Sequence, residues 1–367
     1  MYKDTRLGGV EKWYHTPPED ANMRIPDVLL QCVCFVCVKI TEGKWADTYQ
    51  SLGTGFFVSV KEGEYRFVFL VTAKHLIDEA QRGNKKEIFL RLNKKDGSGV
   101  EYVEINLDSP WHESKDPALD MVALLIPPEM GEFEMRVLPL EMIATNDIIR
   151  DYWVGPGDDL FVTGLFTHRR GRQRNFPIVR SGIISAMPME PIYDKRTGGE
   201  FYAFLAELRS IGGLSGSPVF VTFDKTRLKQ SPFSQRVLER EKDVVAAVYL
   251  LGLIRGHWEL PSVDLSDTTE EPKEDVYLGF SKGENLNVGI ALVTPAHFIW
   301  DMLMSDNIRQ MRKDVIERFK NDDGIVQDAV AMPVEDLLFT GGDFETALKQ
   351  VSQKVSPPDT ETKETSE

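Results

Sequence analysis

Short apolar runs separated by turn residues dominate the first third of the chain. Val28–Ile40, Gly55–Val60, Tyr65–Thr72, Glu87–Leu92, Val100–Ile105 and Met121–Ile126 are rich in β-branched and aromatic residues, and each predicts a strand. Asp96-Gly97, between two of these runs, is a hairpin signal because such turns need positive φ. No helical periodicity of useful length interrupts the series. A second β-rich block follows Val154-Gly155-Pro156-Gly157. Its predicted strands are Asp159–Phe166, Phe176–Ala186, Phe201–Leu208, Ser217–Thr222, Val244–Ile254 and Val288–Val293. Polar insertions at about 224–242 and 259–286 predict surface loops. Thr294-Pro295 reads as a helix start, a capping hydroxyl followed by proline at the first helical position. Phe298, Ile299, Met302, Leu303, Met311, Val315 and Phe319 then recur at helical spacing, and Asp343–Val351 predicts a second, shorter amphipathic helix.

Regularly spaced short strands of this kind predict an all-β fold, a barrel or a sandwich. The chain divides into an extended leader (1–27), an N-terminal β block (28–145), a C-terminal β block ending in a helix (146–322), and a tail (323–367). The tail carries the short helix and a polar, proline-bearing end. It is a candidate docking place for a protein regulator, or it packs on its own chain.

Composition narrows the function classes. The 367 residues are 42% hydrophobic and 28% charged, enough to bury a core without cross-links. The net charge of −15 argues against general nucleic-acid binding and against docking on an anionic membrane. No apolar run approaches the length of a membrane span, and the first residues lack a signal-peptide core. The three cysteines, Cys32, Cys34 and Cys37, are an odd number in one stretch, which favours a reducing compartment. The expectation is a cytoplasmic protein. Strand alternation puts Cys32 and Cys34 on one face and Cys37 on the other, which predicts core thiols rather than a metal site. The most basic stretch, His168-Arg169-Arg170-Gly171-Arg172-Gln173-Arg174, is expected to be a solvated hairpin tip. His112 lies in a polar segment and is expected at the surface.

Three local patterns carry chemistry. In Phe69-Leu70-Val71-Thr72-Ala73-Lys74-His75 a histidine follows a buried-looking strand. In Leu119-Asp120-Met121-Val122-Ala123-Leu124-Leu125 an aspartate sits at the mouth of another. In Gly212-Gly213-Leu214-Ser215-Gly216-Ser217-Pro218 a serine lies in a glycine-rich turn leading into a strand. A serine hydroxyl needs a base within hydrogen-bond reach, and the base needs a partner to fix its tautomer. Histidine suits the base because its ordinary pKa lies near working pH. Glycines beside the serine let backbone N–H groups converge where a carbonyl oxygen becomes negative.

At these residues the chain resembles the chymotrypsin/trypsin-like serine proteases, most closely the bacterial-type Deg proteases and glutamyl endopeptidases. The order His, Asp, Ser matches that family. The resemblance spans roughly residues 30–303. It implies two packed six-stranded antiparallel β-barrels, an endopeptidase acting on polypeptides through an acyl-enzyme, and no metal or organic cofactor. It also implies His75 as general base, Asp120 as its orienting acid and Ser215 as nucleophile, with the N–H groups of Gly213 and Ser215 as the oxyanion hole. Leu214 stands where the secreted digestive enzymes have an aspartate, so an activation switch based on that ion pair is not expected. The resemblance puts Arg209 at the base of the specificity pocket and Ile254, Arg255 and Gly256 in its wall. An arginine at the base favours an acidic substrate side chain. The alternative, with Arg209 facing solvent and Leu208 or Ile254 filling the pocket, stays open. So do a catalytically silent binding module of the same fold and a protease activated only by a partner.

Overall fold

The computed structural model describes residues 25, 27–126, 132–166, 170–194, 198–208, 213–224, 227, 246–261, 285–321 and 332–333. The leader before residue 25, most of both long insertions, the predicted 343–351 helix and the rest of the tail lie outside these residues.

The chain forms two β units. The first contains β1 (Val33–Lys39), β2 (Tyr49–Glu62), β3 (Tyr65–Thr72), β4 (Glu87–Asn93), β5 (Val100–Asn106), β6 (His112–Glu113), β7 (Val122–Leu125) and β8 (Leu138–Pro139). The second contains β9 (Asp159–Leu165), β10 (Pro177–Ala186), β13 (Phe204–Glu207), β14 (Pro218–Asp224), β15 (Ala246–Pro261) and β16 (Asn285–Pro295). β11 (Ile192–Asp194) and β12 (Gly199–Phe201) form a separate two-stranded ribbon that packs on the barrel through Phe201 and Leu292, and β17 (Met332–Pro333) pairs with β3. The second unit closes into a six-stranded barrel in the order β10-β13-β16-β15-β14-β9. The first is a nine-stranded sheet running β5-β4-β1-β2-β3-β7-β6, with β8 and β17 on its inner strands. Its neighbouring strands are antiparallel except β2 and β8.

β1 to β3 are buried on both faces, which is why they read as continuous apolar runs rather than alternating ones. Cys34, Val36, Phe57, Val68, Leu70, Ile88, Leu90 and Leu124 fill the core of the first unit. Val33, Phe35, Cys37, Phe56, Val58, Phe67, Phe69 and Val71 share a second core with Phe161, Phe220, Leu250 and Leu253 of the barrel. That shared core joins the two units. The barrel has its own interior, including Leu160, Val162, Phe204, Val219, Leu251 and Val293.

Several expectations change. A helix, Lys74–Arg82, follows β3 directly; it is one short stripe deep, burying only Leu76, Ile77 and Ala80. Cys32 precedes β1 and joins the core of Cys37, not that of Cys34, because strand alternation does not reach it. Thr294 and Pro295 end β16 rather than starting a helix; the cap is Ala296, with no side-chain bond. The periodic stretch beyond is two helices, His297–Leu303 and Asp306–Asn321. Buried Arg312 holds them together by donating to Leu303 O at 2.7 Å and pairing with Glu62 of β2 at 3.2 Å. The described part of the basic run is not a solvated tip. Buried Arg91 donates to the carbonyls of Arg170 and Gly171, each at 2.8 Å, and Arg174 pairs with Glu134. Backbone carbonyls and cations both dock the run on the first unit, since Arg170 also donates to Tyr49 O, while Arg172 and Gln173 stay exposed.

Candidate active site

His75 stands where β3 turns into the helix Lys74–Arg82. Its backbone N–H donates to Asp120 Oδ1 at 2.8 Å, and its ring Nδ1 lies 2.6 Å from Asp120 Oδ2. An ionised carboxylate only accepts, so Nδ1 carries the proton and Nε2 keeps its lone pair. Asp120 is 6% exposed. Burial alone would push its pKa up; the His75 hydrogen bonds and the Arg255 charge outweigh that and hold it below the ordinary carboxylate value. The loop carrying Asp120 is shaped by Asp116, whose side chain accepts from Ala118 N at 2.9 Å and whose carbonyl accepts from Leu119 N at 3.1 Å.

Ser215 comes from the other unit, in the tight turn before β14. Ser217 N donates to Leu214 O at 2.9 Å across the turn. Gly216 N donates to Ile254 O at 2.8 Å, and Ile254 N returns a bond to Ser217 O at 2.9 Å, tying the turn to β15. Gly216 has φ +80°, and a Cβ there would lie 2.1 Å from Thr54 O and 3.1 Å from Ala73 N. The turn is thus pressed against β2 and against the junction that carries His75. One residue, Lys74, separates Ala73 from His75, and Gly216 directly follows Ser215. The Ser215 turn and the junction that carries His75 therefore lie side by side at the boundary of the two units. Among the described residues, the N–H groups of Gly213 and Ser215 make no hydrogen bond within the turn.

Thr54 was not among the sequence candidates. It is fully buried, and four bonds converge on it. Its N–H donates to Ser215 O at 2.9 Å, and its Oγ1 donates to Gly213 O at 3.4 Å. That Oγ1 also accepts from Leu165 N at 3.3 Å, while Thr54 O accepts from Thr72 Oγ1 at 2.8 Å. The available signal was a polar residue between two glycines, Gly53 and Gly55, just before the apolar run Phe56-Phe57-Val58. Both flank a crossing that leaves no room for side chains: a Cβ on Gly53 would lie 2.7 Å from Ser215 O.

A cleft of about 620 Å³ opens beside His75 and Asp120 and is also lined by Lys74, Arg82 and Arg255. Of the residues expected in the pocket wall, Arg255 borders the cleft beside His75. Ile254 is 1% exposed and sits in the barrel core, contributing its backbone only. Arg255 is 3% exposed and already engaged, by Asp194 and by Ala118 O, so it is not a cation free to grip an acidic substrate. Gly256 faces open space. Arg209 lies outside the described residues, and Leu208 is buried in the barrel. His112 is not a surface residue: it pairs with Ala123 of β7 and meets Phe69 edge-on at 6.0 Å. Burial pushes its pKa down. The three thiols are free and buried, Cys37 pushed up to about 11 and Cys32 and Cys34 further, so none is a thiolate nucleophile. Among the described residues no helix is long and apolar enough to cross a membrane.

No protein-family model and no curated protein matches the chain. Among solved structures it is similar to the active form of the Rv3671c protease from M. tuberculosis, at 13% identity and a TM-score of 0.38, over 76% of this chain and 81% of that one. It is also similar to the catalytically active tobacco etch virus protease complexed with product, at 11% identity and a TM-score of 0.39, over 78% of this chain and 83% of that one.

Proposed function

We propose that the protein is a serine endopeptidase in which Ser215 is the nucleophile, His75 the general base and Asp120 its orienting acid. The observation that carries this reading is the pair of bonds from His75 to one buried carboxylate, with the Ser215 turn packed against the same strand end. Nε2 of His75 takes the hydroxyl proton as Ser215 Oγ attacks a peptide carbonyl carbon. The carbonyl oxygen becomes an oxyanion held by the N–H groups of Gly213 and Ser215. The tetrahedral adduct collapses, the C–N bond breaks, and His75 gives its proton to the leaving amine. Water, deprotonated by His75, then attacks the ester on Ser215 and frees the acid. No metal or organic cofactor is needed for any step. Asp120 remains ionised throughout and stabilises the imidazolium.

The substrate is a polypeptide, bound in the cleft beside His75. Free buried cysteines fit a reducing, cytoplasmic setting. The 323–367 tail is the place we assign to a protein regulator. The deciding experiment is labelling with a fluorophosphonate probe, comparing the native chain with Ser215→Ala and His75→Ala. Labelling of the native chain alone is expected. No labelling near neutral pH would sink the reading and leave a binding module with an unassembled triad.

A further inference from the structure

We propose that Arg255 is a positioning residue for Asp120, clamping the loop that carries the carboxylate onto the barrel and the β11–β12 ribbon. This rests on the endopeptidase reading above. Arg255 lies in β15 where its pairing with β16 slips: Ile254 faces Val293, Gly256 faces Leu292, and Arg255 is the extra residue between them. A bulge re-aims a side chain out of the ladder. Here the side chain reaches a buried spot made by three separate segments. One guanidinium nitrogen donates to Ala118 O at 2.7 Å, two residues before Asp120. The other meets the carboxylate of Asp194 in β11, a fully buried residue. The guanidinium lies over the Phe201 ring of β12, 3.8 Å from its centroid.

Each contact has a consequence. A buried guanidinium needs a counter-charge, and Asp194 supplies it. With one arm so neutralised, the other is committed to the Ala118 carbonyl. The planar fork serves two acceptors in different directions while its face stacks on an aromatic ring, which an ammonium cannot do. The local turn bonds from Asp116 shape the Asp120 loop, whereas Arg255 fixes where that loop sits relative to the barrel that carries Ser215. The tether grips Ala118, two residues from Asp120, so it acts on the position of that carboxylate and hence on the His75–Asp120 bond.

The test uses the full-length chain and two variants. Arg255→Lys keeps the charge and gives up the fork. Arg255→Met combined with Asp194→Leu removes the ion pair as a unit, leaving no buried charge unpaired. The first readout is the downfield proton NMR resonance of the His75 Nδ1–H, which Asp120 holds whether or not the protein turns over. The second is the rate of fluorophosphonate labelling at Ser215. We expect a resonance broadened by exchange or moved upfield in both variants, with native-like melting of Arg255→Lys. The labelling rate should fall by up to roughly 100-fold, the larger loss in the double variant. A native resonance in either folded variant overturns the assignment. If the native chain fails to label, the endopeptidase reading falls while the resonance still decides the role of Arg255. If the double variant does not fold, Arg255→Lys alone carries the decision.

Discussion

Asp120 shows how one side chain links stability to chemistry. Its carboxylate accepts both the backbone and the ring N–H of His75. Asp120→Asn keeps the shape but offers an amide in place of one acceptor, so the imidazole can settle in the wrong tautomer. The rate of reaction at Ser215 should fall by about 10⁴-fold, read by fluorophosphonate labelling. The folded pKa is depressed, so the stabilisation is present above the ordinary carboxylate value and is lost as pH falls through the folded one. Urea unfolding free energies of the native chain and of Asp120→Asn should therefore converge below about pH 4. Thr54 makes a second case at this scale. Thr54→Val keeps the volume but strands the Leu165 N–H and removes a donor from Gly213 O. It should cost about 1–3 kcal/mol in urea unfolding, and it should slow labelling because the Ser215 turn loses an anchor.

Among the elements, the tight turn before β14 is the most constrained. Gly216 combines a left-handed φ with backbone contacts that a methyl group cannot share. Gly216→Ala should cost at least about 1–2 kcal/mol from the backbone alone, and labelling should fall further than stability because the turn must back away from β2 and Ala73. Unchanged melting together with unchanged labelling would contradict this packing. The strand pattern made most of these elements legible. Tyr65–Thr72 is β3 to the residue, and the Asp96-Gly97 hairpin joins β4 to β5, with Gly97 at φ +73°. The helix Lys74–Arg82 was missed because its apolar stripe, Leu76, Ile77 and Ala80, is at helical spacing but runs for little more than one turn. The capping reading of Thr294-Pro295 failed because β16 continues through both residues, and pairing with β15 outweighs a local helix-start signal.

At the scale of the whole molecule, the candidate site exists only where two units meet. Phe161 and Phe220 of the barrel stack with centroids 5.1 Å apart inside a core shared with β1 to β3. Phe220→Ala should cost about 3–5 kcal/mol. Because the shared core is apolar and continuous, the loss should lower one common urea transition rather than split it in two. Circular dichroism and loss of labelling, followed across the same titration, check this; two separate transitions would mean the units fold independently. The cleft beside His75 is bordered by charges of both signs, Lys74, Arg82 and Arg255 together with Asp78 and Asp120.

The sequence by itself determined the β class, most strand positions and the identity of His75, Asp120 and Ser215 as chemical candidates. Those features are local: a strand is written in a few consecutive side chains, and a nucleophile turn in its glycines. What it did not decide was everything set by distant partners. Arg255 was expected in a pocket wall and nothing in the sequence singled out Arg91, yet each is buried because a partner far along the chain satisfies it, Asp194 for one and the carbonyls of the basic run for the other. His112 looked exposed until β7 paired with it. Thr54 showed in sequence only as a polar residue between two glycines, because its four bonds reach residues from three other segments. A buried polar group is stable only with its partners in place, and those partners are chosen by the packing of the two units, which no single stretch of chain encodes.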